Sequence, residues 1–434
     1  MLLVSTLCLA AQLARASILA VVDERSTTST FDHLWRSLEG ASQPHVRRST
    51  VGQADLGGAG RGHDVVVSGP QEAGAKLRLE GDRFEHLVVF APSAKDLPAE
   101  LSPQALARRL EAGTNLVLVA PSDAPEIWRD FAREFEIELA DRGQHVVDHV
   151  AFDPERDDGS HTLLSVSLAD TPTPFVSPET RLSPPILYRG AGHAIGRHPL
   201  VTPLLRARPT AFFADAVSGA ASEDPRSSGS GIALVSAFQA RNNARALFVG
   251  SAELFSDALL SEAGNGNLAF TLDVLSWVCQ ETGQLRVIDL RYRAAGEAHA
   301  ASSYRTGTEL ELDLEVSANP PYDADDLQVE FSMLDPHVRL PLRRTSAHGV
   351  SGTSDVAAHH AAFAIPDRHG VFTLRLDHRR PGWTSLHEAK AIPVTPPRHD
   401  EYERFIAGAL PYYGGAASVS ALFLVFVALW ALQS

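Results

Sequence analysis

Ser17–Val22 reads SILAVV, an apolar run with no polar alternation, and Thr28–Leu38 follows with Phe31, Leu34, Trp35 and Leu38 at helical spacing. An unbroken apolar run of strand length is buried on both faces, and a one-sided helix after it packs on the sheet. The same pattern recurs downstream. Apolar runs at His63–Val67, His86–Phe90 and Asn115–Val119 predict strands, with a helix at Pro103–Glu111 and another near Pro125–Phe135. Buried strands alternating with helices define an α/β domain of doubly wound type, assigned to residues 17–284. Ile232–Phe238 and Ala244–Gly250 add two strands around Gln239–Arg245 (QARNNAR), read as a hairpin with Arg241 and Arg245 at its polar tip. Asn265–Thr282 predicts a helix with Cys279 facing the core.

Past residue 284 the grammar changes. Leu285–Arg291, Glu309–Val316, Leu327–Met333, Ala361–Ile365, Val371–Leu376 and Ala389–Val394 alternate apolar with polar side chains. Period-two strands at this spacing predict a β-sandwich over 285–395, immunoglobulin-like but without a Cys…Trp…Cys core. A linker, 396–414, leads to Gly415–Leu432 (GAASVSALFLVFVALWAL), and no charged side chain occurs from Phe405 to Ser434. As a helix those 18 residues reach roughly 27 Å, close to a bilayer's hydrocarbon thickness. Tyr412, Tyr413 and Trp430 lie where aromatic rings favour the headgroup layer. One membrane-spanning helix is expected, leaving 433–434 as a cytosolic tail.

At the other end Met1–Ala16 is apolar with Ala14 and Ala16 in an A-x-A pattern, a signal peptide cleaved before Ser17. The expected topology is single-pass type I, with the bulk of the chain luminal. Formal net charge is −15, from 38 basic and 53 acidic residues, which argues against nucleic acid as a partner. Of two cysteines, Cys8 belongs to the signal segment, so the mature chain has no internal disulfide. No Asn-x-Ser/Thr acceptor occurs at any asparagine. A long secretory-pathway chain without either device fits a sheltered subunit of an endoplasmic-reticulum membrane assembly.

Catalytic signatures are missing from the sequence. No GxSxG elbow is present. The Gly57–Gly60 run sits in an aperiodic insert, 41–60, and follows no strand as a phosphate loop would. His145, Asp148, His149 and Asp153 could be drawn as metal ligands, but they lack ligand spacing and His145 and His149 oppose Asp148 on a strand. Asp157–Asp158 and Asp325–Asp326 read as solvated turns. No catalytic, cofactor or metal residue is assigned. Arg241, Asn242, Asn243 and Arg245 can instead clasp a neighbouring element or grip an anion, and Tyr402, Arg404 and Phe405 offer an interface above the membrane. A luminal glycan- or substrate-binding module, or an enzyme, with its site near Arg241 and Arg245 stays as the alternative.

Five segments carry a resemblance: Gln239–Asp257 (QARNNARALFVGSAELFSD), Leu87–Ala94 (LVVFAPSA), Val147–His149 (VDH), Pro185–Gly190 (PILYRG) and Glu401–Tyr413 (EYERFIAGALPYY). From about Ser17 to the anchor the chain resembles the 48-kilodalton subunit family of the eukaryotic oligosaccharyltransferase. The resemblance implies a glutamine-amidotransferase-like α/β fold without its catalytic cysteine. It also implies a non-catalytic subunit of the complex that moves a preassembled glycan from dolichyl diphosphate to Asn in Asn-x-Ser/Thr. Implied partners are a ribophorin-type subunit, the small defender-against-cell-death-type subunit and a separate catalytic subunit. Two features depart from the family pattern: the 41–60 insert, and a tail without the usual lysine-bearing retrieval signal.

Overall fold

The computed structural model describes residues 17–23, 28–39, 62–91, 97–215, 219–221, 228–262, 264–348, 355–401 and 406–433. The expected signal segment, the 41–60 insert, and Tyr402, Arg404 and Phe405 lie outside them.

The first folded unit is a sheet with helices on both faces. Its strands run in the order Asp64–Ser68, Ser17–Val21, Phe84–Phe90, Asn115–Val119, Arg245–Val249, Ile232–Gln239, His193–Ile195, Ile137–Leu139. The first five are parallel; Ile232–Gln239 then runs antiparallel to Arg245–Val249, and Val201–Arg206 also pairs with it. Period-two geometry divides each buried strand between two cores. Ile18, Ala20, Val88, Val117 and Leu247 meet the helices Asp32–Leu38 and Asn267–Val278. Leu19, Val21, Leu87, Leu116 and Phe248 meet Pro70–Glu80, Pro103–Glu111 and Glu126–Arg133 on the opposite face.

The second unit is two facing antiparallel sheets. One runs Gln284–Ala294, Glu309–Asn319, Asp355–Ala364, Arg343–His348, and the other Tyr304–Arg305, Leu386–Thr395, Gly370–His378, Gln328–Ser332, His337–Pro341. Leu310, Leu312, Leu314 and Val316 from the first meet Phe331, Phe372, Leu374 and Leu376 from the second in one shared core. The chain ends in the helix Leu410–Gln433, none of whose residues is buried. It begins five residues before Gly415, because Pro411 is tolerated in a first turn where its missing N–H had no partner to lose. At 24 residues the helix is roughly 36 Å long.

Several expectations shift. The 144–153 segment is strand only over Gln144–Val147, since Asp148 leaves it to receive the backbone N–H groups of Val150 and Ala151 at 2.8 and 3.0 Å. The 265–282 helix covers Asn267–Val278. Cys279 is therefore its C-cap, partly buried and packed against the core as expected, rather than a residue within the helix.

Candidate functional site: the clasp between the two folded units

The hairpin at 239–245 turns through Asn243, which sits in the left-handed region at φ 68°. Asparagine tolerates that conformation better than most residues. Four of the motif's polar side chains reach the ends of two helices and one loop of the sandwich. Asn242 donates from Nδ2 to the carbonyls of Leu110 and Glu111 at 2.9 and 2.8 Å, at the end of the Pro103–Glu111 helix. Arg245 does the equivalent on the opposite face. Its guanidinium donates to Trp277 O, Thr282 O and Gly283 O at 2.5, 2.6 and 2.7 Å, beyond the last turn of Asn267–Val278. A helix C-terminus carries unpaired carbonyls and the negative end of the macrodipole, so a buried cation there satisfies both.

Arg245 is 0% exposed and begins the second strand instead of standing at the hairpin tip. Its guanidinium lies 4.8 Å from the Trp277 ring centroid, a further attraction for a desolvated cation. Burial pulls its pKa down to about 9, which still leaves it charged at neutral pH. Beneath it, Asn115 accepts the Arg245 N–H at 2.9 Å and the Gln280 amide at 3.1 Å, and its Nδ2 lies 3.0 Å from His86 Nδ1. Burial, with His63 nearby, lowers the His86 pKa to about 4.

The other two side chains cross to the sandwich. Gln239 donates to Trp383 O at 2.6 Å and accepts from Gly382 N at 3.1 Å. Asn243 accepts from Ser385 N at 2.7 Å. Around them Trp277 donates to Gly382 O at 2.8 Å, Thr384 N to Gly283 O at 3.0 Å, and Asn319 to Glu281 O at 2.7 Å. The fit is close. A Cβ on Gly283, at φ +67°, would stand 2.3 Å from Gly382 O. Sequence reading found the motif but not its receiving loop, Gly382–Ser385; two glycines flanking a tryptophan-to-backbone contact have no periodicity to betray them.

Arg241 is the exception. It is exposed, and among the described residues no acceptor meets it; it stands at the mouth of a pocket of about 190 Å³ between the units.

Elsewhere, positions where chemistry could sit are filled from within. In open α/β sheets ligands bind at the carboxyl ends of strands where the winding reverses, here between Ser17–Val21 and Phe84–Phe90. The helix that starts there, Asp32–Leu38, has its first amides taken by the Asp257 carboxylate, at 3.2 Å from Asp32 N and 2.8 Å from His33 N. Ser122 Oγ lies 2.9 Å from His145 Nε2, a hydroxyl–imidazole pair that no motif marks, and among the described residues no carboxylate completes a triad. The four drawn metal ligands disperse: Asp148 takes Thr210 Oγ1 at 2.7 Å, His149 Nδ1 faces His161 Nδ1 at 2.6 Å, and Asp153 pairs with Arg156 at 2.8 Å. Among the described residues no group of three or more His, Cys, Asp or Glu could hold a metal ion.

Fold and site together define a class: a two-unit α/β and β-sandwich protein with one apolar C-terminal helix, whose most distinctive polar motif holds the units together. The OST48 N-terminal domain model matches residues 9–281 and the OST48 middle domain model residues 292–434. The chain belongs to the OST48 family. A relative from Arabidopsis thaliana, named as the 48 kDa subunit of dolichyl-diphosphooligosaccharide–protein glycosyltransferase, is 33% identical over 84% of this chain and 86% of its own. The Schizosaccharomyces pombe subunit wbp1 of that glycosyltransferase is 33% identical over 86% of this chain and 87% of its own. The 48 kDa subunit of Caenorhabditis elegans is 32% identical over 84% of each.

Proposed function

We propose that this chain is a non-catalytic scaffold subunit of an oligosaccharyltransferase complex, the assembly that transfers a preassembled glycan from dolichyl diphosphate to asparagine of nascent proteins. Its α/β unit is a glutamine-amidotransferase-like fold used for shape, and its ectodomain, 17–395, is luminal. The C-terminal helix pins it to the endoplasmic-reticulum membrane beside a ribophorin-type subunit, a small defender-against-cell-death-type subunit and the catalytic subunit.

One observation carries the scaffold reading. The side chains that most resemble a binding site, Gln239, Asn242, Asn243 and Arg245, spend their polar atoms on helix ends and on the sandwich loop. Gln239 and Asn243, held in this way, stiffen the join between the two units, Asn242 and Arg245 stiffen the hairpin that carries them, and a stiff join is what a scaffold contributes. The Asp257 carboxylate on the Asp32–Leu38 helix supports the same reading, because an anionic substrate would have to displace it.

Purification of the tagged full chain in mild detergent tests the proposal. Glycosyltransferase subunits are expected to co-purify, Arg245→Ala is expected to reduce their recovery, and external protease should spare the ectodomain in sealed microsomes. Glycan transfer by the isolated chain, or digestion of its α/β unit in sealed microsomes, refutes it.

A further inference from the structure

Arg241 belongs to the same motif as the clasp and takes no part in it. It shares the rim of the interdomain pocket with Arg379 and Arg380, while Phe175, Ala237 and Trp277 contribute carbon to the lining. Arg379 is bonded to Asp377 at 3.1 Å, and Arg380 to Asp326. Among the described residues two of the three guanidinium groups are therefore already neutralised, and one positive charge is left over an apolar recess. In a chain of net charge −15 that local balance is inverted.

We propose that this pocket docks an extended segment of a partner polypeptide, which places one carboxylate side chain on Arg241 and an adjacent apolar side chain in the recess. Charge complementarity selects the occupant. One free guanidinium matches one carboxylate, with bidentate geometry available; a diphosphate would bring at least twice that charge. A sugar chain would need several convergent donors and acceptors, yet the Gln239 amide is held by Gly382 and Trp383. The volume, about 190 Å³, suits one or two side chains. Because the walls come from both units, a docked segment also bridges the join it sits on. This proposal rests on the reading of the chain as a subunit.

The test uses Pro381, an exposed rim residue, in the full chain. Pro381→Cys on a Cys279→Ser background is labelled with a charged maleimide, once in the purified complex and once in the chain after dissociation in high salt. Labelling is expected to be at least tenfold slower in the complex, and Arg241→Glu should abolish that protection while Arg291→Glu, in the sandwich, leaves it intact. Equal labelling in both states overturns the proposal, as does protection indifferent to Arg241→Glu. Protection that survives dissociation and is removed by dialysis identifies a small anion as occupant and also overturns it. If no glycosyltransferase subunit accompanies the chain, the scaffold reading itself fails; an assembled complex with an open pocket removes only the docking.

Discussion

Replacing Arg245 distinguishes a structural clasp from a ligand site. Arg245→Ala leaves the carbonyls of Trp277, Thr282 and Gly283 without the donor that reaches them. An orphaned buried acceptor costs about 1–3 kcal/mol, and loss of the Trp277 contact adds about 1 kcal/mol. Against this stands relief from burying a cation with no carboxylate partner, several kcal/mol in the favourable direction. Three acceptors at about 2 kcal/mol each, plus the ring contact and less about 3 kcal/mol of relief, leave a destabilisation of about 4 kcal/mol, or roughly 8–16 °C in Tm for a domain of this size. Arg245→Lys keeps the charge but reaches fewer carbonyls from a single nitrogen, so about half the loss is expected. Urea midpoints from pulse proteolysis of the full chain in detergent, with bands for each unit, measure both variants. An Arg245→Ala midpoint within about 0.5 kcal/mol of the parent, combined with lost glycan transfer by the complex, refutes the clasp and favours a bound ligand.

Other outcomes follow from the same geometry. Asn243→Gly keeps the left-handed turn and loses the Ser385 bond, so it should cost about 1 kcal/mol, while Asn243→Ala adds turn strain and should cost more; urea midpoints rank the two. His86 and His193 are held neutral by burial, with pKa values of about 4 and about 3. Unfolded histidines take up protons below about 6.5, so this stability is intact above that pH and is lost as pH falls towards 4. Each contributes a loss of about 2 kcal/mol by pH 5, and His86→Asn should flatten the midpoint-versus-pH curve. A Cβ at Gly250 would stand 2.1 Å from Ala191 O, whereas Gly231 has nothing within 4 Å. Gly250→Ala should therefore not accumulate folded in cells, and Gly231→Ala should accumulate normally, as an immunoblot of soluble and detergent-extracted fractions will read. Leu424→Arg, mid-helix, costs about 3 kcal/mol of insertion and should move the chain into the carbonate supernatant.

What sequence could and could not disclose divides by range of interaction. Ser17–Val21, Asn115–Val119 and Ile232–Gln239 announce themselves because a strand buried on both faces must be apolar throughout, and that demand is local. The Glu309–Asn319 strand is equally legible, since its buried–exposed alternation is written residue by residue. Pro70–Glu80 escapes because it holds Gly74 mid-helix, required where a Cβ would stand 2.4 Å from Pro98 Cβ. The site is harder still. QARNNAR reads as polar hairpin chemistry under either function, and what decides its role is acceptors 32 to 144 positions away. Nothing in the motif distinguishes Arg241 from Arg245; only the strand register does, by turning the second inward under the Asn267–Val278 helix end and leaving the first over the interdomain recess. The motif thus does two separable things with one residue type. Arg245 fixes the hairpin to the Trp277–Gly283 segment that faces the sandwich, and Arg241 sets what can be bound at the join, so stability should respond to the first and partner occupancy to the second.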